Sequence, residues 1–312
     1  MSEQRPVISI VMPIYNGAAL LGPTLQSLVR QTVSTAEVEL IMVDDGSTDD
    51  PATVVASTSF PFRSKLIQQA NSGLSVARNR GMAEATGEIV LFLDQDIIAD
   101  PQLVQAHLDC HRQHGRALVA GRRVPWPEAR TSLVSRILDL DSTGRVPPRA
   151  LAQHPYQIAI GANVSIARAD ITGLGGFDED FPPGGGFEDV DIAYRAHRAG
   201  LKVIYCEQAV GAHNHPKSLK YVCDAARRYT RSANLFFHKH PELWNAFPFL
   251  VDKQPISWKE DSPRLIIRKV GRQVLAIPPV LQTMVGLVQM FERVYPAPWL
   301  LRPLYRKIIG SY

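Results

Sequence analysis

An alternation of short apolar runs with helix-like segments in the first hundred residues constrains the fold most strongly. Strands are predicted at residues 7–14, 38–43, 65–68 and 88–93, and helices at residues 20–31 and 74–85. Runs rich in β-branched residues, such as VISIVMPI and EIVLFL, are typical of strands buried on both faces of a parallel sheet. The pattern therefore predicts an α/β protein with a doubly wound, mainly parallel sheet flanked by helices.

Polar residues directly follow three of these strands, at the point where each strand ends. The three segments are Tyr15-Asn16, Asp44-Asp45 and Asp94-Gln95-Asp96. In doubly wound sheets, ligands bind at the carboxyl ends of the strands. We therefore expect the binding site at this edge of the sheet.

The acidic segment after the fourth strand predicts a cation site. Side chains two apart in an extended segment point to the same side, so Asp94 and Asp96 would present two carboxylates to one divalent cation. That cation would in turn bind a diphosphate. A solvated turn that caps the next helix, before Pro101, is the alternative, and the residues alone leave both interpretations open.

The second strand end favours nucleoside recognition. Asp44 and Asp45 begin an ordinary turn sequence, but they lie next to Tyr15, which can stack on a base while a carboxylate accepts from base N–H or ribose hydroxyls. Arg78, in the following helix, would neutralise a diphosphate or hold a base carbonyl. An arginine on a helix is also commonly solvated or ion-paired, so this residue keeps two interpretations.

Two later segments carry further candidates. Glu188-Asp189 opens a predicted helix after the glycine-dense residues 173–186, which predict a mobile loop. Acidic residues in a first helical turn favour the helix dipole, but Asp189 is also suited to take a proton from an acceptor hydroxyl as a general base. His213 and His215 follow an apolar run, and either imidazole is a metal ligand or an ordinary structural histidine.

Seven motifs, taken together and in order, resemble the family 2 glycosyltransferases with a GT-A fold. They are SIVMPIYNG, VDDGSTDD, NSGLSVARNRG, GEIVLFLDQD, GANVSIARAD, GGFDEDF and FEDVDIAYRAHRAG, within residues 7–215. The resemblance implies a Rossmann-like GT-A domain with a C-terminal helical extension. It also implies a nucleotide-diphosphate sugar as donor, a divalent metal (Mn or Mg), and displacement that inverts the anomeric centre without a covalent intermediate.

The resemblance also assigns roles to individual residues of this chain. It implies nucleoside contacts from Pro13, Tyr15 and Asp45 with support from Asp44, contact of Asp94 with ribose or sugar, metal ligation by Asp96 and His213, and base catalysis by Asp189. Glu188 and Arg78 are grouped with the donor-binding residues. His215 is equally near to the metal position, so the choice between the two histidines stays open.

The absence of a QxxRW motif favours transfer of a single hexose or deoxyhexose rather than processive synthesis. The predicted context is assembly of a surface polysaccharide or glycolipid of the cell envelope, on a glycan or lipid-linked acceptor. A sugar nucleotidyltransferase would carry a GGxGT-like loop where MPIYNG stands. A non-catalytic nucleotide-sugar-binding module would lack the metal or base residues, whereas Asp94, Asp96 and Asp189 are all present.

Charge divides the chain near residue 215. From residue 213 onward Lys and Arg outnumber Asp and Glu by 16 to 6, whereas acidic residues exceed basic ones before it. We therefore predict a catalytic domain at 1–215 and a basic, mainly helical extension at 216–312 that contacts acceptor, membrane surface or a second subunit. No run of five basic residues or recognised module indicates nucleic acid. Three widely spaced cysteines and no secretion signal predict a location in the cytoplasm, which includes the inner face of the membrane.

The extension contains predicted helices at 219–238, 263–290 with a break at Pro278-Pro279, and 300–309. Residues 273–291 carry no charge, and apolar residues recur there at helical spacing: Val274, Ile277, Leu281, Met284, Val288 and Phe291. The two prolines and the intervening glutamines argue against a spanning helix. An interfacial helix and packing on the catalytic domain or in a homodimer remain open.

Overall fold

The computed structural model describes residues 5–129, 154–158, 161–184, 186–215, 218–247, 256–275 and 277–294. The described residues up to His215 belong to one compact unit and those from Ser218 to another. The strands are β1 Ile8–Ile14, β2 Val38–Asp45, β3 Arg63–Gln69, β4 Ile89–Leu93, β5 Ile97–Ala99, β6 Ala117–Pro125, β7 Asn163–Ala167 and β8 Lys202–His213. The helices of this first unit are α1 Ala18–Val29, α2 Pro51–Ala56, α3 Leu74–Glu84, α4 Leu103–His114, α5 Arg168–Gly173 and α6 Glu188–Arg198, with short 3-10 turns at Thr35–Glu37, Pro127–Ala129 and Pro155–Ile158.

The strands form a single sheet in the order β3-β2-β1-β4-β7-β6-β8-β5. The first four strands in this order, from β3 to β4, are joined by three parallel pairings, and β6 also pairs with β8 in parallel. The predictions of an α/β fold and of a mainly parallel sheet are therefore confirmed. The predicted strands and helices before residue 94 are also confirmed, with ends that move by one or two residues.

Both faces of the central strands are buried, as their nearly unbroken apolar sequences predict. On one face, β1 residues such as Ile10 and Met12 pack with Leu21 and Leu25 of α1. On the other face, α3 approaches closely because Gly81 has no side chain, and a Cβ there would collide with Val11. This packing fixes the carboxyl ends of β1, β2 and β4 side by side.

Three antiparallel pairings were not predicted: β4 with β7, β7 with β6, and β5 with β8. The sequence of β7 contains two polar residues, Asn163 and Ser165, that would suggest an exposed strand. Both are buried, because His107 of α4 contacts the Ser165 hydroxyl and the Asn163 amide oxygen, each at 2.8 Å. A buried polar network thus replaces apolar packing in this strand.

The second unit contains α7 Leu219–Lys239, a 3-10 turn at Pro241–Ala246, α8 Pro263–Leu275 and α9 Pro278–Val294. Ser218 caps α7 by accepting from the Tyr221 N–H at 3.1 Å. The predicted helix break at Pro278 is confirmed, and the predicted helix at 300–309 lies outside the described residues. Within the described part of the chain, no helix has both the length and the apolar character that crossing a membrane requires.

Candidate active site

An open cleft of about 350 Å³ lies at the carboxyl ends of β1, β2 and β4. It is lined by Pro13, Ile14, Tyr15, Asp45, Asn71, Gly73, Leu74, Ala77, Asp94, Gln95, Asp96, Pro183 and Gly184. Five of the residues singled out in the sequence therefore share one cavity. Asp44, Arg78, Glu188, Asp189 and His213 do not line it, although several of them contact residues that do.

One side of the cleft is formed by Tyr15, which is 49% exposed. Its backbone is fixed by Gln95, whose amide oxygen accepts from the Tyr15 N–H at 3.1 Å and whose amide nitrogen donates to the Tyr15 carbonyl at 3.0 Å. Gly17 leaves room for this amide, because a Cβ at that position would collide with it. No sequence pattern pointed to Gln95, since only the flanking aspartates suggested chemistry.

The two aspartates that end β2 are buried and hydrogen-bonded. Asp45 accepts from the N–H groups of Ser72 and Gly73, each at 2.8 Å, and from the Gln69 amide at 2.8 Å. It thereby shapes the loop that forms one wall of the cleft. Asp44 accepts from the Ser47 N–H at 2.9 Å and orders the turn behind it.

The Asp94 and Asp96 carboxylates have different hydrogen-bond partners. Residues 94–96 form a turn closed by the Ile97 N–H donating to the Asp94 carbonyl at 3.2 Å, so the spacing rule for extended segments does not apply. The Asp94 carboxylate accepts from the Arg78 guanidinium at 3.0 Å. Both residues line the cleft, and joint binding of one cation by the two carboxylates stays a prediction.

Arg78 lies between two acidic groups inside the protein. Its side chain is 1% exposed, and its guanidinium donates to Asp94 and to Glu188 of α6, each at 3.0 Å. Burial disfavours the charged guanidinium, but the two carboxylates outweigh burial and raise the pKa of Arg78 above its usual value. Gly161 makes the site possible, because a Cβ there would lie 2.7 Å from the guanidinium.

The structure bears on the two interpretations of Arg78 that the sequence left open. It supports the ion-paired arginine, because the guanidinium donates to two protein carboxylates. Its position is consistent with a residue that orients Asp94 at the cleft and Glu188 beneath it. The partner Glu188 is 110 residues away in sequence, so local pattern gave no sign of the pair.

Asp189 is held in one orientation at the start of α6. Its two carboxylate oxygens accept from the backbone N–H groups of Gly161 at 3.0 Å and Val190 at 2.8 Å. Burial raises the pKa of Asp189, and the charge of Asp94 acts in the same direction, while the two backbone bonds and Arg78 oppose the rise. Burial and the neighbouring Asp189 also raise the pKa of Glu188. A carboxylate with a raised pKa is a stronger base than an ordinary surface aspartate.

Asp96 contacts His213, the last residue of β8, and His215, which follows that strand. Its Oδ2 lies 3.1 Å from His213 Nε2 and 3.0 Å from His215 Nδ1. Although burial opposes ionisation, these two hydrogen bonds hold the pKa of Asp96 well below its usual range. The pairing of His213 with Ile97 across β5 and β8, and the Asn214 N–H bond to the Asp96 carbonyl at 2.7 Å, bring the distant segments together.

The three side chains form a donor set that fits a divalent transition-metal ion. One ligand atom from each of Asp96, His213 and His215 lies within 4.8 Å of the others. One carboxylate oxygen and two imidazole nitrogens make a mixed set of the kind that such ions accept. The sequence left open which histidine belongs to the site, and the structure places both against Asp96.

Comparison with known proteins identifies the family. The model of glycosyl transferase family 2 matches residues 9–166. Validoxylamine A glucosyltransferase from Streptomyces hygroscopicus subsp. jinggangensis is 31% identical over 296 residues, which cover 83% of this chain and 67% of that protein. The chain therefore belongs to glycosyl transferase family 2.

Solved structures agree on the fold. The mannosyltransferase PcManGT from Pyrobaculum calidifontis, in complex with GDP-Man and Mn2+, superposes with a TM-score of 0.61 at 17% identity, covering 98% of this chain and 86% of that chain. S. aureus TarS 1-349 in complex with UDP-GlcNAc gives a TM-score of 0.52 at 16% identity, covering 98% and 89%. The fold of this chain is GT-A, as the sequence motifs implied.

Proposed function

We propose that this chain transfers a single sugar from a nucleotide-diphosphate sugar to an acceptor hydroxyl, with inversion at the anomeric carbon. The observation that carries the proposal is the convergence of three loops on one cleft. They bring an exposed aromatic platform at Tyr15, a fixed turn at Asp94–Asp96, and the cluster of Asp96 with His213 and His215 to one edge of the sheet. Family membership supports the same class of reaction.

The donor would bind with its nucleoside against Tyr15. The half-exposed ring offers a flat apolar surface for a base, with Pro13 beside it in the cleft. Asp45 has three donors on its carboxylate already, and an unused lone pair would accept from the base or ribose. Asp44 supports this loop without reaching the cleft, and Asp94 lies where ribose or sugar would pass.

Asp96, His213 and His215 would hold the divalent ion, and the mixed oxygen and nitrogen donor set favours Mn²⁺ over Mg²⁺. When bound, such an ion supplies positive charge to the diphosphate as it leaves. Without a cation, the carboxylates at this edge would repel the donor. Asp96 is ready to serve as ligand because it is already ionised at neutral pH.

Asp189 would take the proton from the acceptor hydroxyl. Its carboxylate is oriented by two backbone N–H groups, and each oxygen retains a further lone pair for a substrate proton. Arg78 would act through its partners: it fixes Asp94 at the cleft and, as the counter-ion of Glu188, partly offsets the rise in the Glu188 pKa caused by burial. The base and the donor-binding turn are thereby connected through one buried guanidinium.

Residues 1–215 would then be the catalytic domain, and residues 216–312 an extension that serves acceptor, membrane or subunit contacts. The acceptor would be a glycan or lipid-linked glycan in assembly of a surface polysaccharide or glycolipid, reached from the cytoplasm at the inner face of the membrane. A relative is named validoxylamine A glucosyltransferase, so validoxylamine A is also a candidate acceptor to be tested.

A nucleotide-sugar screen tests the proposal. Thermal stability of the full chain would be measured with UDP-, dTDP- and GDP-sugars, each with Mn²⁺ and with EDTA, since a ligand that binds only the native state raises its stability. The stabilising donor would then be offered to acceptors, and NMR of the product would report the anomeric configuration. Retention of configuration, or no metal-dependent stabilisation by any donor, would refute the proposed reaction.

A further inference from the structure

Large hydrophobic side chains are exposed together in one part of the second unit. Within the described chain, seven of the nine exposed large hydrophobic residues fall between 258 and 290, the others being Tyr15 and Tyr221. The seven are Trp258, Ile267, Val270, Val274, Ile277, Leu287 and Met290, here called the α8–α9 patch. Trp258 is 75% exposed and Ile267 is 71% exposed. Clusters of this kind mark interaction surfaces rather than ordinary surface scatter.

The patch follows one face of α8. Ile267, Val270 and Val274 are spaced by three and four residues, so their side chains lie on the same side of the helix. Lys269, on the opposite side, is 1% exposed and forms an ion pair with Asp261 at 2.6 Å. The helix therefore buries one charged residue in an ion pair while it exposes three large apolar residues on one side.

The turn that carries Trp258 is tied to the inner side of α8. Asp261 accepts from the Ser257 N–H at 2.8 Å as well as from Lys269, and the Asp261 N–H donates to the Ser257 carbonyl at 2.9 Å. These bonds close the turn around Trp258. Trp258 is thus exposed on a turn that hydrogen bonds hold in place.

Basic residues surround the patch. Residues 256–275 contain five basic and two acidic residues, and one of the acidic residues, Asp261, is paired with Lys269. Lys259 and Arg264 are exposed, as is the remaining acid, Glu260. Residues 277–290 of the adjoining segment carry no charge. The surface is therefore apolar with a cationic edge.

We propose that the α8–α9 patch binds the surface of an anionic lipid bilayer. An amphipathic helix with tryptophan and basic flanks lies in the membrane interface, with its apolar face at the acyl boundary and cations on lipid phosphates. Tryptophan prefers the headgroup level. A second copy of this chain would bring like charges together around the patch, whereas an anionic bilayer complements them.

The exposed apolar surface of this region differs in part from the one that the sequence predicted. The predicted interfacial face of residues 273–291 included Val288, which is fully buried, and Met284, which is partly buried. Among the described side chains of α9, the exposed large hydrophobic residues are instead Leu287 and Met290. The proline break at Pro278 separates the two helices, so one continuous stripe cannot run along both. The main contact surface is on α8.

Flotation of the full chain with vesicles tests this proposal independently of any sugar transfer. Binding to vesicles that contain phosphatidylglycerol at low salt is expected, with loss in phosphatidylcholine alone and at high salt. Arg264→Gln should weaken partitioning by about fivefold, since one basic residue near anionic lipid contributes on that scale. Arg30→Gln, at an exposed arginine in the first unit, is the matched control and should bind like wild type.

Apolar contact is tested by placing one negative charge at two positions of α8. Ile267→Glu removes an apolar contact and should reduce binding by roughly tenfold or more, whereas Gln273→Glu adds the same charge at an exposed polar position and should reduce it much less. Brominated acyl chains should quench the tryptophan fluorescence of wild type, and Trp258→Phe should lose that quenching. Circular dichroism would verify that each variant is folded.

Three results would overturn the proposal. They are no flotation with anionic vesicles at low salt, equal binding by the Ile267→Glu and Gln273→Glu variants, and sedimentation of wild type as a dimer that Ile267→Glu converts to a monomer. The last result would assign the patch to a second copy of the chain.

Discussion

Replacing Arg78 by methionine would remove the guanidinium that contacts both Asp94 and Glu188 while keeping a long side chain of similar reach. The Arg78 side chain is 1% exposed and Glu188 is 7% exposed at its side chain, so water cannot replace the lost partner at Glu188. Breaking a buried ion pair by removing one member costs about 3–5 kcal/mol of unfolding free energy. We expect a loss of that size for Arg78→Met.

This loss of unfolding free energy should depend on pH, because a proton on Glu188 would remove its unpaired buried charge. Burial and Asp189 already raise the pKa of Glu188, and loss of Arg78 would raise it further. The folded variant would then bind more protons than the unfolded chain above the ordinary glutamate pKa, so its stability would fall as pH rises. The deficit relative to wild type should be smaller near about pH 5 than near about pH 8.

Urea unfolding followed by circular dichroism at these two pH values measures the effect. Arg80→Met is the matched control, since Arg80 lies on the same helix with 56% of its side chain exposed and should change stability by less than about 0.5 kcal/mol. Adding Glu188→Gln to Arg78→Met should recover part of the loss, because the orphaned charge is removed. A deficit below about 1 kcal/mol at neutral pH, or one that grows on acidification, would refute the buried-bridge interpretation.

Three other predictions concern turnover, metal and acid stability. Asp189→Asn should keep donor binding but lower turnover by roughly two to four orders of magnitude, and a wild-type rate in a transfer assay would remove Asp189 from the role of base. Asp96→Ala and His215→Ala should each abolish the difference in donor affinity that calorimetry finds between Mn²⁺ and EDTA, and an unchanged metal effect in His215→Ala would leave His215 outside the site. Stability should fall as pH drops from about 6.5 to about 4, because burial lowers the pKa values of His107 and His111 to about 4 and the unfolded chain takes up protons first. His107→Gln should flatten that fall in urea titrations, and an unaltered pH profile would contradict a neutral buried imidazole.

The parallel half of the sheet was predictable because its strands are continuous apolar runs, for which burial on both faces is the dominant physical cause. β7 was not predictable on that basis. Asn163 and Ser165 are polar, and only the arrival of His107 and His111 from α4 satisfies them inside the protein. A buried polar strand depends on tertiary partners that no local pattern contains.

The site was predicted to the level of strand ends but not of side-chain direction. Asp94 and Asp96 were expected to act together. In the turn that they form, the Asp94 carboxylate contacts Arg78 and the Asp96 carboxylate contacts the two histidines. The conformation of three residues decided this, and spacing alone does not distinguish a turn from an extended segment. The metal ligation, base and nucleoside roles of these residues remain predictions.

Gln95 links the segments that follow the first and fourth strands. Its amide fills the space that Gly17 leaves open and bonds to both backbone groups of Tyr15. A graft that carried the Asp94–Asp96 tripeptide from a relative into this chain, or the reverse, would therefore leave the aromatic platform unsupported unless residues 15–17 travelled with it. Segment exchanges that aim to change donor preference should therefore replace both loops together, although Tyr15 and Gln95 are 80 residues apart in the chain.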